Sequence, residues 1–162
     1  ELKMPNEIWV ANLNCPGQVV ISGTMKGIEA ASLKLKDAGA KRVLPLQVFG
    51  AFHSGLMQGA KEKLVPYIES VHLQSSPCRL VMNVTGDFVD ETDAVKRYLI
   101  DQVVSPVRWE QGVRALMREG VDFFIEVGCG KTLAGLNKRI GAPGTTLSLE
   151  KIEDLETIAK EL

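Results

Sequence analysis

IWVANLNCPGQVVISG, which occupies residues 8–23, is the stretch that decides the fold of the first part of the chain. The apolar run at 8–13 predicts a strand, and residues 14–17 carry the asparagine, proline and glycine of a turn. Residues 18–22 then predict a second strand. The chain therefore begins with two consecutive strands joined by a tight turn.

A helix and a third strand are predicted after this stretch. Thr24 can cap a helix whose apolar residues recur every three or four positions, and Gly39 stands where a left-handed stop belongs. Residues 42–48 predict a strand. The order strand, strand, helix, strand is that of a ferredoxin-like βαββαβ unit without its first strand and first helix. The last strand would then lack its neighbour, so we expect the chain to be part of a longer protein.

Residues 50–162 alternate helices and strands, which predicts an α/β domain with a largely parallel sheet. The predicted elements are a helix capped by Ser54 and reaching about residue 71, a short strand at 80–84, a helix capped by Asp90, a helix restarted at Ser105-Pro106, a strand at 122–127, a helix at 131–140, a strand at 145–149 and a final helix. The strand at 122–127 is mostly apolar, as in strands buried on both faces of a sheet.

Composition excludes several classes of function. The 162 residues carry 19 basic and 20 acidic side chains, and a net charge of −1 favours neither nucleic acid nor an anionic membrane surface as a partner. No apolar run approaches the roughly 20 residues that span a bilayer, and the first residues do not resemble a signal peptide. We therefore expect a cytoplasmic location. The three cysteines include no C-x-x-C pair, so neither a disulfide framework nor a zinc site is predicted.

His53 is the candidate general base, because the stretch Gly50–Ser54 places it between a strand end and a helix start. The sequence alone leaves open a histidine that is satisfied by local hydrogen bonds. His72, the second histidine, is interpreted as a solvated side chain. No serine lies on a G-x-S-x-G elbow, so a self-contained hydrolase or transferase is not encoded here. Gly128–Thr132 lacks the first glycine of a phosphate-binding loop and is interpreted as a strand-to-helix turn.

Residues 12–23 resemble the N-x-N-x-P-x-Q-x-V-[IV]-x-G signature of malonyl-CoA:acyl carrier protein transacylases. Residues 38–42, 51–57, 102–109 and 126–140 resemble further blocks of this family in the same order. The match spans nearly the whole chain and is specific for the acyltransferase superfamily. The chain departs from the family in lacking the serine elbow, the arginine that pairs with the malonyl carboxylate and the amides of the oxyanion hole, and in having Cys129 in place of a proline.

The resemblance implies the carboxy-terminal half of a hydrolase-like α/β enzyme with an inserted ferredoxin-like subdomain. Residues 1–49 would complete the small subdomain, and residues 50–162 would belong to the hydrolase-like domain. The implied reaction is ping-pong malonyl transfer from malonyl-CoA to the phosphopantetheine thiol of acyl carrier protein, in fatty acid biosynthesis. His53 would activate a serine on a missing amino-terminal half, either removed from this chain or supplied as a separate one, and the main-chain carbonyl of Gln102 would orient the imidazole. The chain alone would be inactive, and no cofactor or metal is implied.

Further site residues also follow from the resemblance. Phe52 matches the bulky residue that favours malonyl over methylmalonyl, and Asn12 and Asn14 match asparagines of the substrate pocket. Without the resemblance, both asparagines are equally well read as turn-forming side chains. Lys41 and Arg42 could bind CoA phosphates or the acidic carrier protein, and a solvated charge pair is the alternative.

Two other functions remain open on the sequence. The first is an acyltransferase domain of a polyketide synthase or of a multifunctional fatty acid synthase. The second is a non-catalytic module that docks the carrier protein.

Overall fold

The computed structural model describes residues 6–161 and shows a mixed α/β chain with small sheets. Three two-stranded sheets are formed within this range. The strands are β1 (Ile8–Cys15), β2 (Gln18–Gly23), β3 (Val81–Met82), β4 (Asp87–Phe88), β5 (Phe123–Val127) and β6 (Thr145–Leu149). The helices are α1 (Met25–Asp37), α2 (Gln58–Ser70), α3 (Thr92–Asp101), α4 (Trp109–Arg118), α5 (Thr132–Ile140) and α6 (Asp154–Ala159), and a 3-10 turn at Gly55–Met57 precedes α2.

The first two strands form the hairpin that the sequence predicts. β1 and β2 pair antiparallel from Ile8 opposite Gly23 to Cys15 opposite Gln18. The turn between them uses Gly17 at a φ of +75°, a value that favours glycine. Thr24 then caps α1, since its side chain accepts a hydrogen bond from the Gly27 N–H at 3.0 Å.

The strand predicted at 42–48 is wrong for this chain. Residues 43–47 are not part of any sheet. The side chains of Leu44, Leu46 and Val48 are exposed, and that of Phe49 is fully exposed. The physical reason is that a strand needs a neighbour to bond its main chain, and none of the described strands lies beside this one. Pro45 in addition has no N–H to donate. We call residues 44–49 the exposed segment.

The helix predicted from Ser54 is confirmed, with a 3-10 first turn. Ser54 is completely buried, and its hydroxyl accepts from the Leu56 N–H at 3.2 Å and donates to the Ala51 carbonyl. The helical path then continues as α2 to Ser70.

The middle of the chain departs from the prediction at two places. The strand expected at 80–84 shrinks to Val81–Met82 and pairs with β4, which the sequence pattern did not reveal. Each strand has only two residues, too few to produce a readable alternation. Asp90 does not cap α3, because Glu91 occupies the N-cap position and its side chain makes no capping hydrogen bond.

The helix predicted to start at Ser105-Pro106 is also wrong, because α4 begins only at Trp109. Val107 instead forms a parallel bridge to Asn12 in β1. Its N–H donates to the Ala11 carbonyl at 2.8 Å, and its carbonyl accepts from the Leu13 N–H at 2.8 Å. Both main-chain groups of Val107 are therefore committed to β1 and cannot take part in a helix.

The last sheet is parallel, as predicted, and β6 has the predicted bounds. However, β5 is not buried on both faces, since Ile125 is partly exposed and Val127 is 76% exposed. Burial of both faces requires a packed layer on each side, and the described residues cover only one side of β5. Together with the exposed segment, β5 leaves apolar surface open to solvent.

The core joins the hairpin to the α/β part. Cys15 of β1 packs with Val113 of α4 and with Leu136 and Ile140 of α5. Polar contacts tie the same elements together. The Trp109 indole N–H donates to the side chain of Asn137 at 3.2 Å, and the amide of Asn137 donates to Thr146 of β6 at 3.3 Å. These contacts hold β1, α4, α5 and β6 as one packed unit.

The short helix α6 is tied to the residues that precede it. The Asp154 carboxylate accepts hydrogen bonds from the N–H groups of Glu150 and Lys151, both at 3.0 Å, and these bonds lower the pKa of the Asp154 carboxyl below its ordinary value. Within residues 6–161, no helix has the length and apolar character needed to cross a membrane.

Candidate active site

The candidate active site is built around His53, which lies between the exposed segment and the 3-10 turn. Its backbone adopts a φ of +59°, in the left-handed region that few residues other than glycine occupy. The following residue explains how this conformation is held, because Ser54 is buried and hydrogen-bonded on both sides of the turn. The strained turn presents the imidazole toward the segment that follows α3.

Two main-chain carbonyls contact the imidazole. Nδ1 of His53 lies 2.9 Å from the carbonyl oxygen of Gln102 and 3.1 Å from that of Ser105. A carbonyl oxygen can only accept a hydrogen bond, so Nδ1 must carry the proton and donate to both. The neutral ring then has its lone pair on Nε2. This is the tautomer that a general base needs in order to take a proton from a nucleophile.

The position of Gln102 follows from the end of α3. Gln102 is the C-cap residue, and its side-chain amide donates back to the Leu99 carbonyl at 3.2 Å. The last carbonyls of a helix have no donor within the helix. The carbonyl of Gln102 is thus available to the histidine, and the side chain of Gln102 is occupied elsewhere.

Ser105 is the site residue that the sequence analysis missed. It acts through its main chain, which carries no residue-type signal. The pair Ser105-Pro106 was the available clue, since the residue before a proline is disfavoured in helical conformation. The same pair is also typical of a helix start, which is the interpretation that proved wrong.

The hairpin lies against this site at two points. The bridge places the main chain of Asn12 beside Val107, and Val107 follows Ser105 by two residues in the sequence. The ring of Trp9 packs on the backbone after the histidine, where a Cβ added at Gly55 would lie 2.8 Å from the Trp9 ring. Trp9 is a second contact that the sequence analysis missed. Asn14 lies two residues beyond Asn12 in β1 and is half-buried.

The other predicted residues occupy more open positions. Phe52 directly precedes His53, is 51% exposed, and turns its ring toward Gly50. Lys41 and Arg42 are exposed on the surface after α1. The structure therefore brings His53 into contact with the Gln102 carbonyl and places Asn12 beside Val107, while Lys41 and Arg42 lie exposed.

The glycine turn after β5 is organised by a buried carboxylate. Glu126 accepts hydrogen bonds from the N–H groups of Leu133 and Ala134, both at 2.9 Å, at the start of α5. Negative charge is favourable at this end of a helix. Cys129 in the turn is exposed. Across the part of the chain that the structure describes, no group of three or more His, Cys, Asp or Glu side chains is arranged to hold a metal ion.

No protein-family model matches the chain. A curated relative does: the malonyl CoA-acyl carrier protein transacylase of Bacillus subtilis is 43% identical over 157 residues, which cover 97% of this chain and 50% of the relative. The chain thus spans about half the length of the curated relatives it matches.

Solved structures give the same result. The malonyl CoA-acyl carrier protein transacylase from Clostridium perfringens superposes with a TM-score of 0.89 at 33% identity, over 96% of this chain and 49% of that one. A malonyl-transacylase in complex with its type II PKS acyl-carrier protein superposes with a TM-score of 0.91 at 33% identity, over 97% of this chain and 51% of that one. By sequence and by fold, the chain is therefore homologous to malonyl-CoA:acyl carrier protein transacylases over about half of their length.

Proposed function

We propose that this chain is the histidine-bearing, carboxy-terminal half of an enzyme that transfers malonyl from malonyl-CoA to the phosphopantetheine thiol of acyl carrier protein, in fatty acid biosynthesis. The observation that carries the proposal is the contact of His53 Nδ1 with the carbonyls of Gln102 and Ser105. This contact leaves Nε2 as a proton acceptor. The amino-terminal half that would carry the serine is called the complementary half below.

In the first half-reaction, Nε2 of His53 takes the proton from the serine hydroxyl as that oxygen attacks the malonyl thioester carbon. The tetrahedral intermediate collapses with cleavage of the carbon–sulfur bond, and the proton moves from His53 to the departing CoA sulfur. In the second half-reaction, Nε2 takes the proton of the phosphopantetheine thiol as its sulfur attacks the serine ester. The serine oxygen leaves and regains its proton from His53.

The orienting groups are neutral carbonyls and not a carboxylate. They hold the Nδ1–H by dipoles alone and add no full negative charge beside the ring. Since the same two carbonyls accept the Nδ1–H in both half-reactions, the ring does not need to turn between them.

We also propose the finer architecture, with residues 1–49 in a ferredoxin-like subdomain and residues 50–162 in a hydrolase-like domain, both completed by the complementary half. The uncovered apolar surfaces support it. The exposed segment offers a main chain that is in no sheet, and β5 offers an uncovered face. Each is what remains when a neighbouring strand or layer is removed.

The acyl pocket is proposed to lie beside His53. Phe52 would limit the room for a branched acyl group, and Asn12 and Asn14 would face the substrate from β1. The half-exposed ring of Phe52 and the bridge from Asn12 to Val107 support these roles. Lys41 and Arg42 would bind CoA phosphates or the acidic carrier protein, for which their exposure is required.

The proposed partners are the complementary half, malonyl-CoA and acyl carrier protein, with no cofactor. The complex of the homologous transacylase with its acyl-carrier protein supports the last of these. We propose the cytoplasm as the location. Three free cysteines, two of them exposed, suit a reducing compartment.

The test is to combine the chain with the amino-terminal half of a homologous transacylase and to measure transfer of labelled malonyl to holo acyl carrier protein. The pair is expected to transfer malonyl, and the chain alone is not. His53→Ala should lower the rate of the pair by a factor of about 1,000 or more, because the serine loses its base.

The sequence offers a matched control in its second histidine. His72 is exposed beyond the end of α2, and His72→Ala should leave the rate unchanged. Equal rates for the two variants would refute the role of His53. A pair that assembles but transfers no malonyl would refute the proposed function.

A further inference from the structure

Pro106 occupies the position that decides whether the two carbonyls around His53 are free. In a helix, the N–H of residue 106 would donate to the carbonyl of Gln102, four residues earlier. Proline has no N–H, and its ring would collide with that carbonyl in a helical turn. The carbonyl of Gln102 is therefore left without a helical donor.

The same proline also frees the second carbonyl. The residue before a proline is disfavoured in helical conformation, so the chain does not run on through Ser105 from α3 into α4. Had it done so, the carbonyl of Ser105 would accept from the N–H of Trp109. In the structure, α3 ends at Asp101 and α4 starts at Trp109, and both carbonyls point at Nδ1 of His53.

The residues after Pro106 stabilise the non-helical stretch between α3 and α4. Val107 makes two main-chain hydrogen bonds to β1: its N–H donates to the Ala11 carbonyl at 2.8 Å, and its carbonyl accepts from the Leu13 N–H at 2.8 Å. The N–H of Arg108 donates to the carbonyl of Asn83 at 3.0 Å, and its guanidinium donates to the carbonyl of Val84 at 3.0 Å. The extended stretch is thus anchored to two separate parts of the molecule immediately after the proline.

We infer that Pro106 is a positioning residue for the transacylase reaction: it keeps the carbonyls of Gln102 and Ser105 free to fix His53 in the tautomer whose Nε2 is the base. This inference rests on the proposed function. The hydroxyl of Ser105 and the side-chain amide of Gln102 take no part in it.

Pro106→Ala is the variant that tests the inference. It restores an N–H that competes for the carbonyl of Gln102, and it removes the restriction on Ser105. In the chain paired with its complementary half, kcat for malonyl transfer should fall about tenfold, the value of roughly one hydrogen bond, with KM for malonyl-CoA within about twofold. With histidine labelled in this chain only, NMR should show a larger share of the Nε2–H tautomer at His53.

Pro77→Ala is the matched control, because Pro77 is exposed in the loop between α2 and β3. It should change neither kcat nor the tautomer. His72 supplies an internal reference signal. If Pro106→Ala does not pair with the complementary half, Pro106→Val, which also restores the N–H but favours extended backbone, is measured in its place with the same expected losses.

The inference is overturned if kcat and the tautomer both stay at the wild-type values, or if one changes without the other. An inactive wild-type pair would count against the proposed function instead. In that case the tautomer comparison alone decides whether Pro106 positions the ring.

Discussion

His53 combines an unfavourable backbone with a well-held side chain. Its positive φ costs on the order of 1 kcal/mol or more, and the two carbonyls at 2.9 and 3.1 Å from Nδ1 offset part of that cost. With an extended or helical backbone at this position, the Cα–Cβ bond of His53 would point in another direction. The strain is therefore tied to the aim of the imidazole, and relief of the strain would turn the ring away from both carbonyls.

Phe52 is the residue at which the choice of acyl group can be tested. Under the proposed function, Phe52→Ser should open space beside His53 and lower the preference for malonyl-CoA over methylmalonyl-CoA. The preference for one methyl group is worth about 1 to 3 kcal/mol, so the ratio of the two kcat/KM values should fall by roughly 10-fold or more. Competition between the two thioesters in one reaction measures this ratio directly.

The ratio is its own control, because a general loss of activity cancels from it. Phe52→Tyr, which keeps the bulk of the ring, should retain the wild-type ratio. If Phe52→Ser left the ratio unchanged, Phe52 would have no part in selectivity.

At this scale, the sequence predicted side chains better than main-chain groups. The imidazole of His53 is itself a chemical signal, so the sequence alone indicates it as a candidate. Its contact with the Gln102 carbonyl was expected only from a family block. The second carbonyl, from Ser105, was not found, since every residue has a carbonyl and only the fold selects the one that is used.

Among the elements, α5 depends on a side chain from the strand before it. Glu126 accepts from the N–H groups of Leu133 and Ala134, so Glu126→Gln should lower the free energy of unfolding of the paired protein by about 1 to 2 kcal/mol. The amide keeps the shape of the side chain but loses its charge, and one of its two terminal atoms becomes a donor. Urea unfolding measures the change.

The control is Glu29→Gln, which removes the same charge from an exposed position in α1. It should change the unfolding free energy by less than about 0.5 kcal/mol. Equal effects of the two substitutions would mean that the loss comes from net charge and not from the cap.

Local sequence patterns predicted an element correctly where no contact with a distant part of the chain opposed the local preference. β6 has the predicted bounds, and the cap by Thr24 was correct. The helix start at Ser105-Pro106 failed because the pairing of Val107 with β1, almost 100 residues earlier in the chain, outweighs a local proline signal. Contacts over such distances in sequence leave no trace in a local pattern.

The whole molecule carries apolar surface that nothing in residues 6–161 covers. Pairing with the complementary half should give the exposed segment a neighbouring strand, under the proposed architecture. The amide hydrogens of Leu46 and Gln47 should then exchange with solvent at least about tenfold more slowly than in the chain alone. Hydrogen–deuterium exchange with mass spectrometry measures this rate.

The amides of Leu13 and Val107 serve as the reference, because they are already hydrogen-bonded within this chain. Their exchange should change much less on pairing. Unchanged exchange at Leu46 and Gln47 in a pair that is active would show that the complementary half covers another surface, and the ferredoxin-like description would have to be abandoned.

The bridge between β1 and Val107 also bears on how such an enzyme could be re-engineered. Its two hydrogen bonds run between main-chain atoms, so they are indifferent to which side chains the hairpin carries. A hairpin grafted from a relative at residues 8–23 would bring new side chains to the proposed pocket and would offer the same main-chain hydrogen bonds to Val107. Under the proposed function, acyl preference and histidine alignment would thus be separable by transplantation, although both would depend on the same strand.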